Sequence, residues 1–233
     1  MIERDGYPFI IGVSLVALVS LYTYWSFGFG WALYVGCFFV ALALFITYFF
    51  RSPNRSVNME PGMIVSPADG KVLYVKTYDS YPGFSGEVTV IATFLSVFDV
   101  HVNWIPISGA ITKVEYITGK FKLAYVEKAS TENERSEITV ESSAGTVLFK
   151  QIAGTIARRI VYRVKQGDSV TAGDKYGLIR FGSRVEVFFD ARGEVFVKAG
   201  DRVKGGETII ARLPVVAKNA SEDATQAAST ENV

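Results

Sequence analysis

The sequence predicts a mainly β protein: a compact β sandwich or barrel-like domain with some short helix, carried on an N-terminal two-helix transmembrane hairpin. Three observations lead there. No charged side chain occurs between Gly6 and Phe50, a stretch long enough to cross a bilayer twice. From Met59 to Leu213, runs rich in Val, Ile, Thr, Phe and Tyr are punctuated by Gly, Asp and Pro. Within that region a ten-residue string recurs, Val164–Gly173 (VKQGDSVTAG) and Val197–Gly206 (VKAGDRVKGG).

The hairpin comes first in the chain. Phe9–Phe27 and Gly30–Phe50 each supply about the 20 apolar residues that a span needs, with FGFG as the tight turn. Tyr22, Tyr24, Trp25 and Trp31 suit one membrane interface, and Arg51 and Arg55 follow the second span. The connecting turn has no Lys or Arg, so both chain ends are expected in the cytoplasm, with the β domain at the cell membrane's cytoplasmic face. MIERD is not a basic leader and no small-residue cleavage site follows, which argues against a signal peptide.

After a polar exit (RSPNRSVN), MIVSPADGKVLYVKTY reads as strand, turn, strand, turning at Asp69-Gly70. EVTVIATFL reads as a buried strand. VHVNWIPISGAITKVEYI holds two strands around Pro106 and Gly109. EKASTENERSE (Glu127–Glu137) is a polar loop or short helix, and ITVESSAGTVLFKQIAG a hairpin turning at Ala144-Gly145. The two repeats predict equivalent strand–turn–strand elements, since two copies are too few for a solenoid. The expected division is 1–58 hairpin and exit, 59–217 β domain, and 218–233 a disordered tail with little apolar surface to bury.

Charge and composition narrow the chemistry. A net charge of +1 gives no reason to expect nucleic acid. One cysteine, Cys37, cannot form an internal disulfide, and a single histidine, His101, leaves no ligand set for zinc. His101 is either a hydrogen-bonded core residue or a general acid/base, with Asp99 two positions away on the same strand face. Asp69 is either a turn residue or a partner for an imidazole, and Ser66 shares that ambiguity. Arg158, Arg159, Arg163 and Lys165 in ARRIVYRVK form either a solvated strand face or a grip for lipid phosphate.

GLIRFGSRVEVFF poses the sharpest choice. Gly182-Ser183 interrupts an apolar, strand-like run. It is either a bulge or a peptide bond open to attack by its own serine. In the second case the hydroxyl converts the amide to an ester. Loss of the serine α-proton then expels the upstream chain as a carboxylate, and hydrolysis of the remaining dehydroalanine leaves a pyruvoyl ketone.

Several segments taken together resemble the phosphatidylserine decarboxylases, specifically the short form of bacteria and its archaeal relatives. They are YFFRSPNR, SPADGKV, LSVFDVHVNWIP, GKFKLA, NER, QIAGTIARRI and YGLIRFGSRV, in one colinear series from Tyr48. The resemblance implies self-cleavage between Gly182 and Ser183 into a β chain (1–182) and an α chain (183–233) that together form the enzyme. It implies a covalent pyruvoyl cofactor made from Ser183 and a Schiff base with the substrate amine. A membrane phospholipid would be the substrate and phosphatidylethanolamine the product, with Ser183, His101 and Asp69 catalytic. Arg158, Arg159 and Arg163 become candidates for headgroup contact, and Arg184 for the substrate's carboxylate or phosphate. Longer relatives carry a second histidine where this chain has Trp104, so His101 either serves both cleavage and turnover or shares the work with another base. Homo-oligomerisation stays open. Two alternatives remain: an ether-lipid (archaetidylserine) decarboxylase with the same chemistry, and a non-catalytic adaptor with biotinyl/lipoyl-like repeats.

Overall fold

The computed structural model describes residues 1–126, 129–155, 159–180 and 183–214. A 3-10 turn (Arg4–Gly6) leads into α1 (Tyr7–Phe27), which is followed by α2 (Gly30–Phe49). Gly28 closes the turn between them in the left-handed region (φ 69°), its N–H on the Tyr24 carbonyl, as a C-terminal cap requires. Both helices are long and apolar enough to cross a membrane, and most of their surface is not buried against the protein.

The rest is mostly strand, as the composition predicts. In order come β1 (Met63–Val65), β2 (Gly70–Tyr78), β3 (Val88–Leu95), β4 (Val102–Trp104) and β5 (Gly109–Ile117). After the short α3 (Ala129–Glu132) follow β6 (Arg135–Ser142), β7 (Gly145–Ala153), β8 (Ile160–Tyr162), β9 (Ser169–Val170) and β10 (Lys175–Ile179). The last are β11 (Ser183–Asp190), β12 (Glu194–Val195), β13 (Arg202–Val203) and β14 (Ile209–Arg212). A curled eight-stranded sheet, ordered β13-β2-β3-β11-β7-β6-β5-β9, is joined by two three-stranded sheets, β1-β14-β12 and β4-β10-β8. One core draws on all three: Ile64, Ile91, Ile138, Phe149, Tyr176, Val187 and Ile210 are packed together in it. Its burial is the main stabilising term available to so strand-rich a chain.

The repeats fold as equivalents. Gly167 N–H and the Asp168 carbonyl bracket Ile111, just as Gly200 N–H and the Asp201 carbonyl bracket Val72, all at 2.8–2.9 Å. Each aspartate also accepts the N–H three residues before it, at 2.9 Å. The β6–β7 hairpin forms as expected, but Ser142 pairs with Gly145, so the turn is Ser143-Ala144, one residue early.

Two local expectations are corrected. Asp69-Gly70 is not a hairpin turn: β1 pairs with β14 and β2 with β3 and β13, so the chain crosses between sheets there. Gly70 is needed because a Cβ would lie 2.0 Å from the Phe94 carbonyl oxygen. Nor do Asp99 and His101 share a strand face. The Asp99 carboxylate caps the turn at Ser96 (2.8 Å to N, 2.7 Å to Oγ), and only its backbone carbonyl meets the imidazole.

Candidate active site

The apolar run around Gly182-Ser183 is two strands in two sheets. β10 lies between β4 and β8, whereas β11 lies between β3 and β7 in the large sheet. The chain changes sheets within three residues of Ser183. Phe181 and Gly182 lie outside the described residues, as does Arg158.

Ser183 opens β11, opposite Leu95 on β3 and Ala153 on β7. It is fully buried, and its Oγ has no hydrogen-bond partner among the described residues. Leaving a buried hydroxyl unpaired costs about 1–3 kcal/mol. Strand alternation puts it on the face of Val185, which packs with Ala68, Leu95, Ala153, Ile160 and Ile179, bordered by Phe121 and Tyr162. The described side chains of that cluster are apolar apart from the Tyr162 hydroxyl.

His101 stands just before β4 and is buried. Its carbonyl accepts Ile179 N–H at 3.2 Å, tying it to the segment that leads to Ser183. Its Nδ1 is 3.0 Å from the Asp99 carbonyl, which can only accept, so Nδ1 carries the proton. Burial pushes the imidazole pKa down to about 4, against the opposing pulls of the Asp99 carbonyl, Asp99 and Asp69. At neutral pH the ring is therefore uncharged, with its lone pair on Nε2. Phe49, at the end of α2, packs on the ring at 4.2 Å between centroids. Phe49 and Phe50 also pack with Leu178 of β10, so the hairpin's end forms one wall of the site.

Asp69 is half of a clamp. Arg55 donates through Nη1 to Oδ1 and through Nη2 to Oδ2 (3.0 Å), and Gly205 N–H adds 2.8 Å to Oδ1. The Arg55 guanidinium lies 4.6 Å above the Trp104 ring. That ring fills the place of the expected second histidine and fits only because Gly205 has no Cβ, which would meet it at 2.3 Å. Asp69 accepts its hydrogen bonds from Arg55 and Gly205, and its negative charge favours the protonated form of His101. Sequence reasoning took Arg55 for a membrane-exit cation and missed the clamp. Its spacing from Asp69 gives no signal, because the contact is tertiary.

A chain of buried polar side chains, also missed, braces the other side. Ser136 Oγ donates to Gln151 Oε1, and Gln151 Nε2 to Asn103 Oδ1, both at 2.8 Å. Asn133 Nδ2 donates to the carbonyls of Lys122 and Ala153, each at 2.8 Å, pinning residue 122 to the end of β7 beside Ser183. Polar residues inside otherwise apolar strands were the available signal.

The arginines separate. Arg163 pairs with Glu3 (3.1 Å) and Asp5 (2.7 Å) at the start of the hairpin, and Arg180 joins Asp5 at 3.0 Å. Arg159 is exposed, with its carbonyl accepting Arg180 N–H. Arg184 is fully buried on the face of β11 opposite Ser183. It meets Glu186 (3.2 Å), Ser130 Oγ (2.5 Å) and the Val126 carbonyl (3.2 Å). Its described partners thus lie on the face of the sheet away from Ser183.

A family model described as phosphatidylserine decarboxylase matches residues 42–211. A phosphatidylserine decarboxylase proenzyme of Symbiobacterium thermophilum is 40% identical over 215 residues, covering 92% of this chain and 96% of its own. Proteins of the same description from Burkholderia multivorans and Burkholderia cenocepacia are each 40% identical, covering 91% of this chain and 96% of theirs. On a family match over most of its length and relatives at 40% identity, this chain belongs to the phosphatidylserine decarboxylase family of carboxy-lyases.

Proposed function

We propose that the chain is the precursor of a pyruvoyl-dependent enzyme that decarboxylates phosphatidylserine to phosphatidylethanolamine at the cytoplasmic face of the membrane. The observation that carries this reading is the buried Ser183 Oγ, without a hydrogen-bond partner among the described residues, at the point where the chain leaves one sheet for another. The relatives' description as proenzymes supports a processing step.

In this reading Ser183 Oγ attacks the Gly182 carbonyl carbon and the acyl group moves from nitrogen to oxygen. Loss of the Ser183 α-proton expels Gly182 as a carboxylate. The resulting dehydroalanine hydrolyses with release of ammonia, leaving a ketone at position 183. That ketone supplies an acceptor for the substrate's amine and a sink for the electron pair left when carbon dioxide departs. Ser183 suits this fate: among the described residues its hydroxyl has no competing bond to give up, and the β3 and β7 partners fix the strand that the group would head.

The remaining residues bind, orient and move protons. His101 Nε2, uncharged at neutral pH, takes a proton while Nδ1 stays on the Asp99 carbonyl. Asp69, fixed by Arg55, favours the protonated imidazole through its negative charge. Arg159 is the exposed cation available to a headgroup phosphate; Arg163 reaches one only by exchanging Glu3 and Asp5. Arg158 remains a candidate on sequence alone. A site walled by the end of α2 lets the headgroup enter while the acyl chains stay in lipid, where each methylene is worth about 0.8 kcal/mol.

The test is purification of the full chain in detergent, then a denaturing gel and assay with phosphatidylserine in mixed micelles. Two pieces and phosphatidylethanolamine are expected from the natural chain, and a single inactive chain from Ser183→Ala. Activity in an uncut chain would overturn the reading.

A further inference from the structure

Four apolar side chains of the β unit face outward: Phe98 is 65% exposed, Leu123 48%, Tyr125 57% and Val126 39%. Single exposed apolar residues are ordinary, but a cluster asks for a partner. Tyr125 and Val126 are tied to the β3–β11 strand pair, and Phe98 lies just past the end of β3. The Tyr125 ring lies 6.3 Å from that of Phe94, Phe94 faces Arg184 across the sheet, and Arg184 holds the Val126 carbonyl. Phe98 follows Phe94 by four residues.

The cluster is anchored from beneath. Asn133 accepts Lys122 N–H at 3.0 Å and donates to its carbonyl, and Ala124 between the exposed residues is buried. Phe98 is also tied to the hairpin. The Phe98 carbonyl accepts both the Tyr48 hydroxyl (3.3 Å) and Arg51 Nη2 (2.7 Å), at the point where α2 ends. At its edge Lys120 and Lys122 share one carboxylate, Glu132, at 3.2 and 2.7 Å, leaving a net positive charge.

We propose that Phe98, Leu123, Tyr125 and Val126 form a second membrane contact, which dips into the boundary between headgroups and acyl chains beside the hairpin. Aromatic and aliphatic side chains rimmed by lysine are the composition that this boundary selects, and the excess positive charge suits anionic lipid. The contact holds the β unit flat on the bilayer. Because Phe121 of the same segment packs on the cluster beside Ser183, it also puts the site's rim at headgroup depth. The proposal rests on α1 and α2 spanning the membrane, and its test reads the two separately.

Full-length protein with Cys37→Ser would carry a single fluorescent label at Leu123→Cys or Tyr125→Cys. A third variant, Leu15→Cys, would report on the exposed flank of α1. Each is placed in vesicles of phosphatidylcholine and phosphatidylglycerol containing nitroxide lipid, with iodide as the aqueous quencher. Several-fold quenching by nitroxide lipid and weak quenching by iodide at positions 123 and 125 is expected. Quenching by nitroxide at 15 alone, with 123 and 125 open to iodide, overturns this contact and leaves the hairpin standing. No nitroxide quenching at any position overturns both. The readout does not depend on catalysis, so it stands apart from the decarboxylase reading.

Discussion

Phe49, the last residue of α2, lies with its ring centroid 4.2 Å from that of His101. One contact joins the apolar hairpin to the only imidazole in the chain, and it largely sets what that imidazole can do. Burial under the hairpin's end keeps the ring neutral at physiological pH, and the Asp99 carbonyl decides which nitrogen holds the proton.

His101 is therefore expected to titrate near pH 4, well below the ordinary 6.5. As the only histidine it can be followed by imidazole NMR without further assignment. Its folded-state pKa is depressed, so the unfolded chain binds the proton more readily. The stability it contributes is full above pH 6.5 and is lost as pH falls from there through about 4. The loss is on the order of 3 kcal/mol. Chemical denaturation of the natural chain at pH 7 and pH 4.5 should show it, and His101→Asn should flatten the dependence.

Phe49→Ala should move the His101 pKa back toward 6.5 by opening the ring to water. The lost packing should cost about 3–5 kcal/mol. Self-cleavage should then slow most in mildly acidic buffer, where the imidazole becomes charged. Gel densitometry across pH, set against the NMR titration, checks whether the two midpoints coincide.

Arg55 and Asp69 should couple strongly. Removing either partner leaves a buried charge uncompensated, so Arg55→Ala and Asp69→Asn should each destabilise by roughly 3–5 kcal/mol, and the pair together by less than the sum. Arg55→Lys keeps the charge but loses the two-pronged grip. It should retain the fold while slowing cleavage. A double-mutant cycle by denaturation, with cleavage rates alongside, measures both.

Arg184 and Glu186 should behave as a structural pair on the far face of β11. Arg184→Ala should lose about 3–5 kcal/mol by stranding Glu186, whereas Arg184→Met with Glu186→Gln should recover much of it. In the recovered double variant the KM for phosphatidylserine should stay within about two-fold of the natural value, since neither side chain faces Ser183. A large KM rise in that folded variant would return Arg184 to the substrate.

Much of this was legible in the sequence wherever the signal was local. Apolar length gave both helices, and the duplicated Gly-Asp strings gave two turns that dock alike on β5 and β2. The oddity of Gly182-Ser183 was visible, but its reading as a break within one strand missed that the chain leaves one sheet for another there. What stayed hidden depends on residues far apart in the chain. Asp-Gly at 69–70 carries a hairpin's residues, but its neighbours pair elsewhere because a close approach to Phe94, not a turn, demands the glycine. Asp99 and His101 look like same-face strand residues until the Ser96 turn takes the carboxylate. Arg184 sits next to Ser183 in sequence yet on the other side of the sheet, as strand alternation requires.

The intact mass of the small C-terminal piece from an active preparation decides the chemistry. If Ser183 is consumed to make the reactive ketone, that piece begins at position 183 and weighs less by one ammonia than the same segment with an ordinary serine terminus. Borohydride then adds two hydrogens to it and abolishes activity. An active preparation whose serine is still joined to Gly182, or whose small piece carries an unaltered serine, would contradict it.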